Sequence, residues 1–321
     1  MSNPTTTTTA VVTGATSGLG FEAAAQIAEQ GYDRVIITGR SPERAERARQ
    51  ALADRTGLDV FTGVVVDLNK TESVQQAVGT IADLDGDIDV LLLNAGMVAG
   101  SKKIMTGDGV EVTFASSLIG HHQLTMGLLG HGALSDQAHI VIAGSEAARG
   151  DVPTFRPTDL HEFAADGYGG DLVAAAEGLI RGESAPYKPS TAYADAKMFV
   201  AWWAAELSRR LPDGMTVNAV SPGSAPDTDA GRNANFFMKY VLIPVFKYVP
   251  GQSHSIEVAA GRYLEVADRS DISGAFLASA PKKVTGSIEV VDLPHLADPE
   301  RQAAGWQAVA LVSGVDYAVA A

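Results

Sequence analysis

Short, continuous apolar runs recur along the chain with one helix-length of sequence between them. They fall at residues 10–12, 35–38, 61–66, 88–93, 139–143 and 215–220, with a last apolar segment at 272–278. Each is too short for a buried helix, and most are continuously apolar, as expected of strands covered on both faces. The intervening stretches carry helical periodicity at 21–30, 42–56, 71–84, 109–131, 190–211 and 256–268. Gly31 stops the first of these, and Ser41 followed by Pro42 reads as the cap and first residue of the second. The alternation predicts an α/β fold: a doubly wound parallel sheet of about seven strands in one domain over 9–297. Residues 1–8 read as a disordered leader and 298–321 as a C-terminal extension. A helix at 299–312 is expected either to pack on a partner subunit or to cover the site.

Ligands of such sheets bind beyond the carboxyl ends of the strands, and the chemistry-bearing residues fall there. Thr13-Gly14-Ala-Thr-Ser17-Gly18-Leu19-Gly20 closes the first strand and opens the first helix. Glycines let the backbone approach closely, while free N–H groups and the helix dipole attract anionic oxygens, so the turn is a pyrophosphate cradle. The second strand ends in Thr38-Gly39-Arg40-Ser41, with no carboxylate to accept from a ribose 2′-hydroxyl. Arg40 can instead fork onto a 2′-phosphate, which predicts NADP(H); alternatively it caps its strand or pairs with Glu43. Downstream, Tyr193 and Lys197 stand four residues apart, one helical turn, and so share a face. A neighbouring ammonium is expected to pull the phenol down from its reference pKa of roughly 10. Such a tyrosine can exchange a proton with a carbonyl or carbinol oxygen.

Taken in order, Thr13-Gly14-x-x-x-Gly18-x-Gly20, Asp67-Leu68, Asn94-Ala95-Gly96, Ser145, Tyr193-x-x-x-Lys197 and Pro222-Gly223 resemble the short-chain dehydrogenase/reductase family over roughly residues 8–225. The resemblance implies a Rossmann fold and hydride transfer with Tyr193 as proton donor, Ser145 holding the substrate oxygen, and Lys197 on the nicotinamide ribose. It implies cofactor contacts from Gly14, Gly18, Leu19 and Gly20, with Ser17 a second phosphate contact. Asp67 and Leu68 are implied near the adenine edge, Asn94, Ala95 and Gly96 beside the adenine ribose, and Pro222 and Gly223 against the nicotinamide. Asn94 also reads as a strand-end tie. One departure stands out: where many members carry an Asn that holds a proton-relay water, this chain has Ser117, which alters that relay. The adjoining His121 and His122 are read as packing residues rather than acid–base groups.

Two segments are expected to set specificity. The first, 146–189, is a long insertion between Ser145 and Tyr193 with Pro153, Pro157, Pro186 and Pro189 and a helix near 170–181. The second, 224–253, is strongly apolar and reads as a lid, or else as a subunit interface or core helix. A lid of that composition implies a bulky hydrophobic substrate. Insert and lid look most like the retinol dehydrogenase and protochlorophyllide reductase branch. The latter reduces a C=C bond with light and has cysteines near its pigment, whereas this chain has no cysteine. Carbonyl reduction, or the reverse alcohol oxidation, is therefore the leading reading. The alternatives are C=C reduction and a non-catalytic NADP-binding regulatory protein.

Composition narrows the partners. A formal net charge of -14 argues against nucleic acid and against docking on anionic membranes. Without cysteine there is no disulfide, cysteine-ligated metal or thiol catalysis, and no metal site is expected. The start lacks the basic residues and apolar core of a signal peptide, and no run of about 18 apolar residues occurs. A cytoplasmic enzyme, and from the resemblance a homo-oligomer, are the expectations.

Overall fold

The computed structural model describes residues 7–97, 100, 102–224 and 253–316. The 1–6 part of the expected leader and nearly all of the expected lid, 225–252, lie outside the described residues. Thr8 donates through its backbone N–H and its hydroxyl to Asp33 Oδ2, each at 2.9 Å, fastening the chain to the start of the second strand.

An eight-stranded sheet runs β3-β2-β1-β4-β5-β6-β7-β8. Its members are β1 (Thr9–Val12), β2 (Arg34–Gly39), β3 (Phe61–Val65), β4 (Ile88–Leu93), β5 (Leu134–Ala143), β6 (Thr216–Val220), β7 (Phe276–Ser279) and β8 (Ile288–Val290). The first seven are parallel, as the apolar runs predict, and β8 adds antiparallel to β7 at the edge. The sheet agrees with the expected count of about seven, and β8 is the strand the sequence does not announce: three residues, two of them exposed, are too few to show periodicity. Side-chain alternation splits the core in two. Val11, Leu91, Leu93, Ile140 and Ile142 face one layer, while Ala10, Val12, Val90, Leu92 and Val141 face the other.

The second layer is covered by α1 (Gly18–Glu29), α2 (Pro42–Thr56) and α9 (Ile256–Ala267). The first is covered by α3 (Thr71–Ala82), by α8 (Pro189–Ser208), and by a composite helix between them in sequence. That composite starts as α4 (Val112–Phe114), passes through a π-helical turn at Ala115–Ile119 and continues as α5 (Gly120–Gly130). Close approach explains the glycine at the join. A Cβ on Gly120 would run into the Leu68 carbonyl oxygen and come within 2.7 Å of Leu68 Cβ.

The insertion contains a 3₁₀ turn at Glu146–Arg149, then α6 (Leu160–Gly167) and α7 (Leu172–Ile180). Only the second of the two helices was anticipated; α6 is short and begins straight after two prolines. After α10 (Pro294–Ala297), helix α11 (Pro299–Ser313) packs on α7 and α8 of its own chain. The expected helix at 299–312 is thus present and seated on its own chain. Its apolar face supplies Trp306, which is buried with its ring 5.3 Å from His122. Insert and tail together bury α8 on every side, so Phe199, Trp202 and Trp203 are all core residues. Trp202 and Trp203 reach polar partners, donating to the His295 carbonyl at 2.8 Å and to His122 Nδ1 at 3.0 Å.

Two glycines in helices give a stability contrast. Gly120→Ala is expected to cost about 1–3 kcal/mol, because backbone rather than a flexible side chain must move. Gly79→Ala, in α3 with nothing within 4 Å of a new Cβ, is expected to gain about 0.5–1 kcal/mol from helix propensity. Urea denaturation of both variants checks the pair, and equal midpoints would contradict the close packing at Gly120.

Candidate active site

Strand order reverses between β1 and β4, and a cleft of about 500 Å³ opens beyond their carboxyl ends. Gly14, with φ 66°, turns the chain out of β1. Gly20 allows α1 to lie against that turn, since a Cβ there would sit 2.6 Å from the Gly14 carbonyl oxygen. Ser17 is extended and makes no capping bond, and the first turn of α1 holds no acidic residue. The helix therefore presents unsatisfied N–H groups and a positive dipole end to the cleft. Asn94 acts as the strand-end tie: its Nδ2 donates to the Thr13 carbonyl at 2.9 Å. Ala95 N–H donates to Thr13 Oγ1 at 3.0 Å, so the Asn94-Ala95-Gly96 turn is bolted to the first strand.

At one end the cleft is lined by Arg40, Arg44, Asp67, Leu68 and Asn69. Arg40 and Arg44 are both exposed. Glu43, the possible partner of Arg40, is instead pulled below the usual carboxylate range by Ser41, with Arg47 adding to it. Arg44 was missed in the sequence; it stands four residues after Arg40, one turn into α2, and that spacing was the available signal. Asp67 is engaged locally: its backbone N–H donates to Ser73 Oγ at 2.9 Å and its Oδ1 accepts from Asn69 N–H at 3.2 Å.

At the other end stand Tyr193, Lys197, Gly144 and Pro222, with Gly96 between the two ends. Gly20 and Gly223 do not face the cleft; Gly223, at φ 80°, donates to Ser221 Oγ at 3.2 Å. Lys197 is buried, donates to the Ala143 carbonyl at 2.6 Å, and has its Nζ 5.8 Å from the Tyr193 ring centroid. Burial pushes its ammonium down to about 8. The expected lowering of Tyr193 is reversed. Burial raises the phenol; a hydrogen bond with Ser145 draws it down in part, and the Glu146 carboxylate raises it further. The ammonium is committed to Ala143, so desolvation wins over its attraction. At neutral pH the phenol is consequently a proton donor.

Glu146 is a buried residue that sequence reading passed over. Its Oε1 accepts from Ser279 Oγ at 3.0 Å, its Oε2 accepts from Ser221 Oγ, and Arg262 Nη1 lies 3.6 Å away. It links the turn carrying Ser145 to the ends of β6 and β7. Nothing short of the assembled sheet brings residues 146, 221, 262 and 279 together, so only the adjacency to Ser145 could have flagged it.

The π-helical turn places Ser117 beside Gly96, its hydroxyl buried and without a hydrogen-bond partner among the described residues. Its carbonyl accepts from His121 Nδ1 at 3.2 Å, while His121 Nε2 accepts from Thr13 Oγ1 at 2.9 Å. Burial holds His121 at about 3 and His122 at about 4, so both are neutral packing residues. The carbonyl at this helical turn is thus already engaged by His121.

The donor set fits a dinucleotide: a glycine turn and open helix end for two phosphates, guanidinium groups at one end, and a buried ammonium with a half-buried phenol at the other. Among the described residues no cluster of His, Asp or Glu could hold a metal. No helix among them is long and apolar enough to cross a membrane.

Comparison with known proteins agrees with this geometry. A family model described as short chain dehydrogenase matches residues 8–157. The chain is 27% identical over 310 residues to protochlorophyllide reductase B, chloroplastic, of Oryza sativa subsp. japonica, covering 93% of this chain and 75% of that one. It is 27% identical over 281 residues to retinol dehydrogenase 13 of Homo sapiens, covering 86% and 77%. Among solved structures, a short chain dehydrogenase from Burkholderia cenocepacia in complex with NADP superposes with a TM-score of 0.60. That neighbour is 24% identical, and the match covers 85% of this chain and 96% of that one. With the glycine turn, the β4 turn and the Tyr–Lys pair lining one cleft of the expected sheet and Ser145 hydrogen-bonded to Tyr193, fold, site and relatives alike match the short-chain dehydrogenase/reductase family of oxidoreductases.

Proposed function

We propose that this protein is an NADP(H)-dependent reductase of a carbonyl on a bulky apolar substrate, running as an alcohol dehydrogenase in reverse. One observation carries the reading. A single cleft has two exposed guanidinium groups at one end, a helix N-terminus in the middle, and Tyr193 with Lys197 at the other end. The preference for a 2′-phosphate rests on Arg40 and Arg44 and on the absence of a carboxylate after β2. The NADP recorded in the Burkholderia neighbour supports the same choice.

The cofactor supplies the hydride when bound. Tyr193, held protonated by burial, donates its proton to the carbonyl oxygen as negative charge develops there. Ser145, already hydrogen-bonded to Tyr193, donates to the same oxygen and fixes its position. Lys197 keeps a positive charge beneath the phenol and, as in the family it resembles, reaches the nicotinamide ribose. Pro222, which lines the same cleft, would stand on the nicotinamide side.

A second reading, reduction of a C=C bond, is favoured by one observation: the protochlorophyllide reductase relative spans 93% of this chain. The absence of cysteine speaks against a light-driven version of it.

Equilibrium titration is expected to give NADPH a dissociation constant roughly 10- to 100-fold below that of NADH, the range of one or two charged hydrogen bonds. Arg40→Ala and Arg44→Ala each narrow that gap, and tighter NADH binding would sink the cofactor assignment. Tyr193→Phe is expected to cut NADPH oxidation in the dark, with bulky aldehydes and ketones, by about 10²–10⁴-fold. Near-normal turnover in that variant would remove the mechanism, and activity only under illumination would favour the C=C reading. Lys197 is protonated below about pH 8 and loses its charge above it. Because Tyr193 titrates higher still, kcat/KM for reduction should fall above about pH 8. A profile flat to the alkaline limit would contradict the role given to Lys197.

A further inference from the structure

The inserted segment approaches the catalytic tyrosine through one aromatic ring. Phe155 is half-buried, with its ring centroid 5.6 Å from that of Tyr193 and the planes tilted by 57°. That separation is a contact distance for aromatic pairs. Two independent anchors fix the loop that carries it. At its start, Arg149 donates to the carbonyls of Ser279, Ala280 (3.2 Å) and Lys283 (2.7 Å). Asp151 receives Arg149 Nε at 3.1 Å and Lys282 N–H at 2.8 Å. At its end, Thr158 donates its backbone N–H to Asp195 Oδ1 at 2.6 Å and its hydroxyl to Oδ2 at 3.0 Å. Between the anchors, Phe155 N–H closes a tight turn onto the Val152 carbonyl at 2.9 Å, with Pro153 inside it and Pro157 just beyond. Asp195 is itself buried on α8, midway between Tyr193 and Lys197.

We infer that Phe155 is a specificity-determining wall of the substrate site, and that Asp195 is the positioning residue that clips it there through Thr158. The inference rests on the reductase reading above. A carbonyl whose oxygen meets the Tyr193 hydroxyl puts its substituents alongside a fixed aromatic face. A flat apolar group next to that carbonyl, such as an aryl ring, buries itself against Phe155, whereas a short alkyl chain leaves most of the face wet. The sequence between Asp195 and the catalytic pair follows the same logic. One helical turn carries proton donor, clip and ammonium, so the wall and the chemistry are held by a single rigid element.

The test pairs turnover with direct binding. NADPH-dependent reduction of 2-naphthaldehyde and of butanal is measured in wild type, Phe155→Ala, Thr158→Val, Asp195→Ala and Asp195→Asn. Binding of 2-naphthol is followed by its own fluorescence, and melting temperatures are recorded throughout. Phe155→Ala is expected to lower the naphthaldehyde-to-butanal ratio of kcat/KM about tenfold, mainly through KM, and to weaken 2-naphthol binding by a similar factor. Asp195→Ala should reproduce that loss, and Thr158→Val, which removes the hydroxyl bond and keeps the N–H bond, should give about half of it on a logarithmic scale. Asp195→Asn should largely restore the ratio, because its amide oxygen still accepts from Thr158 N–H and its amide N–H can donate to the Thr158 hydroxyl. Thr158→Val keeps the clip testable if Asp195→Ala does not fold. Equal losses on both aldehydes that track only the melting temperature would overturn the assignment. So would 2-naphthol binding that is independent of Phe155, or a wild type that neither binds it nor prefers the aryl aldehyde. Phe155-dependent binding with no reduction of either aldehyde would leave the wall standing and sink the reductase reading instead.

Discussion

Everything in the site depends on how the sheet parts between β1 and β4. Adjacent parallel strands leave a crevice where their helices depart to opposite faces, and a crevice is useful only if its lips are fixed. Asn94 fixes them here by donating to the Thr13 carbonyl, just past the last ladder bond of β1. Thr13 Oγ1 then gathers Ala95 N–H and His121 Nε2, so the glycine turn, the β4 turn and the π-helical join share one hydrogen-bonded hub. Gly20 completes it by letting α1 approach without a side chain between. All of these groups are buried or half-buried. A lost partner would leave a desolvated polar atom rather than a hydrated one.

Past the hub, the balance of burial against charge sets the chemistry. A lysine next to a tyrosine is usually read as a device for making phenolate, but distance and commitment decide the sign. The ammonium is spent on the Ala143 carbonyl, the phenol is desolvated, and a carboxylate lies behind it. The result is a neutral acid resting above a buried cation, an arrangement matched to giving a proton rather than taking one.

The sheet, the parallel order and most helix boundaries were legible because periodicity and glycine positions are local properties of the chain. β4 and α2 fall on the expected residues. The motif residues were legible because strand ends deliver them to one edge. What could not be read depends on assembly. β8 has too few residues for a pattern, and α6 is masked by flanking prolines. The Glu146 network joins positions more than a hundred residues apart. The direction of the Tyr193 shift failed for a related reason: spacing reports which groups are near, while burial, which outweighed them, is a property of the whole fold.

Helix α8 shows what such a fold demands of its own sequence. A helix on a sheet ordinarily keeps a wet side, where polar exchanges cost little. Here α7, α11 and the sheet between them leave it none beyond its first turn, and buried residues run almost unbroken from Ala192 to Leu207. The element that carries Tyr193, Asp195 and Lys197 is therefore a strut with no free face. Drift along it is confined to substitutions that conserve volume, and the chain can explore new substrates only through the loops that this strut holds in place.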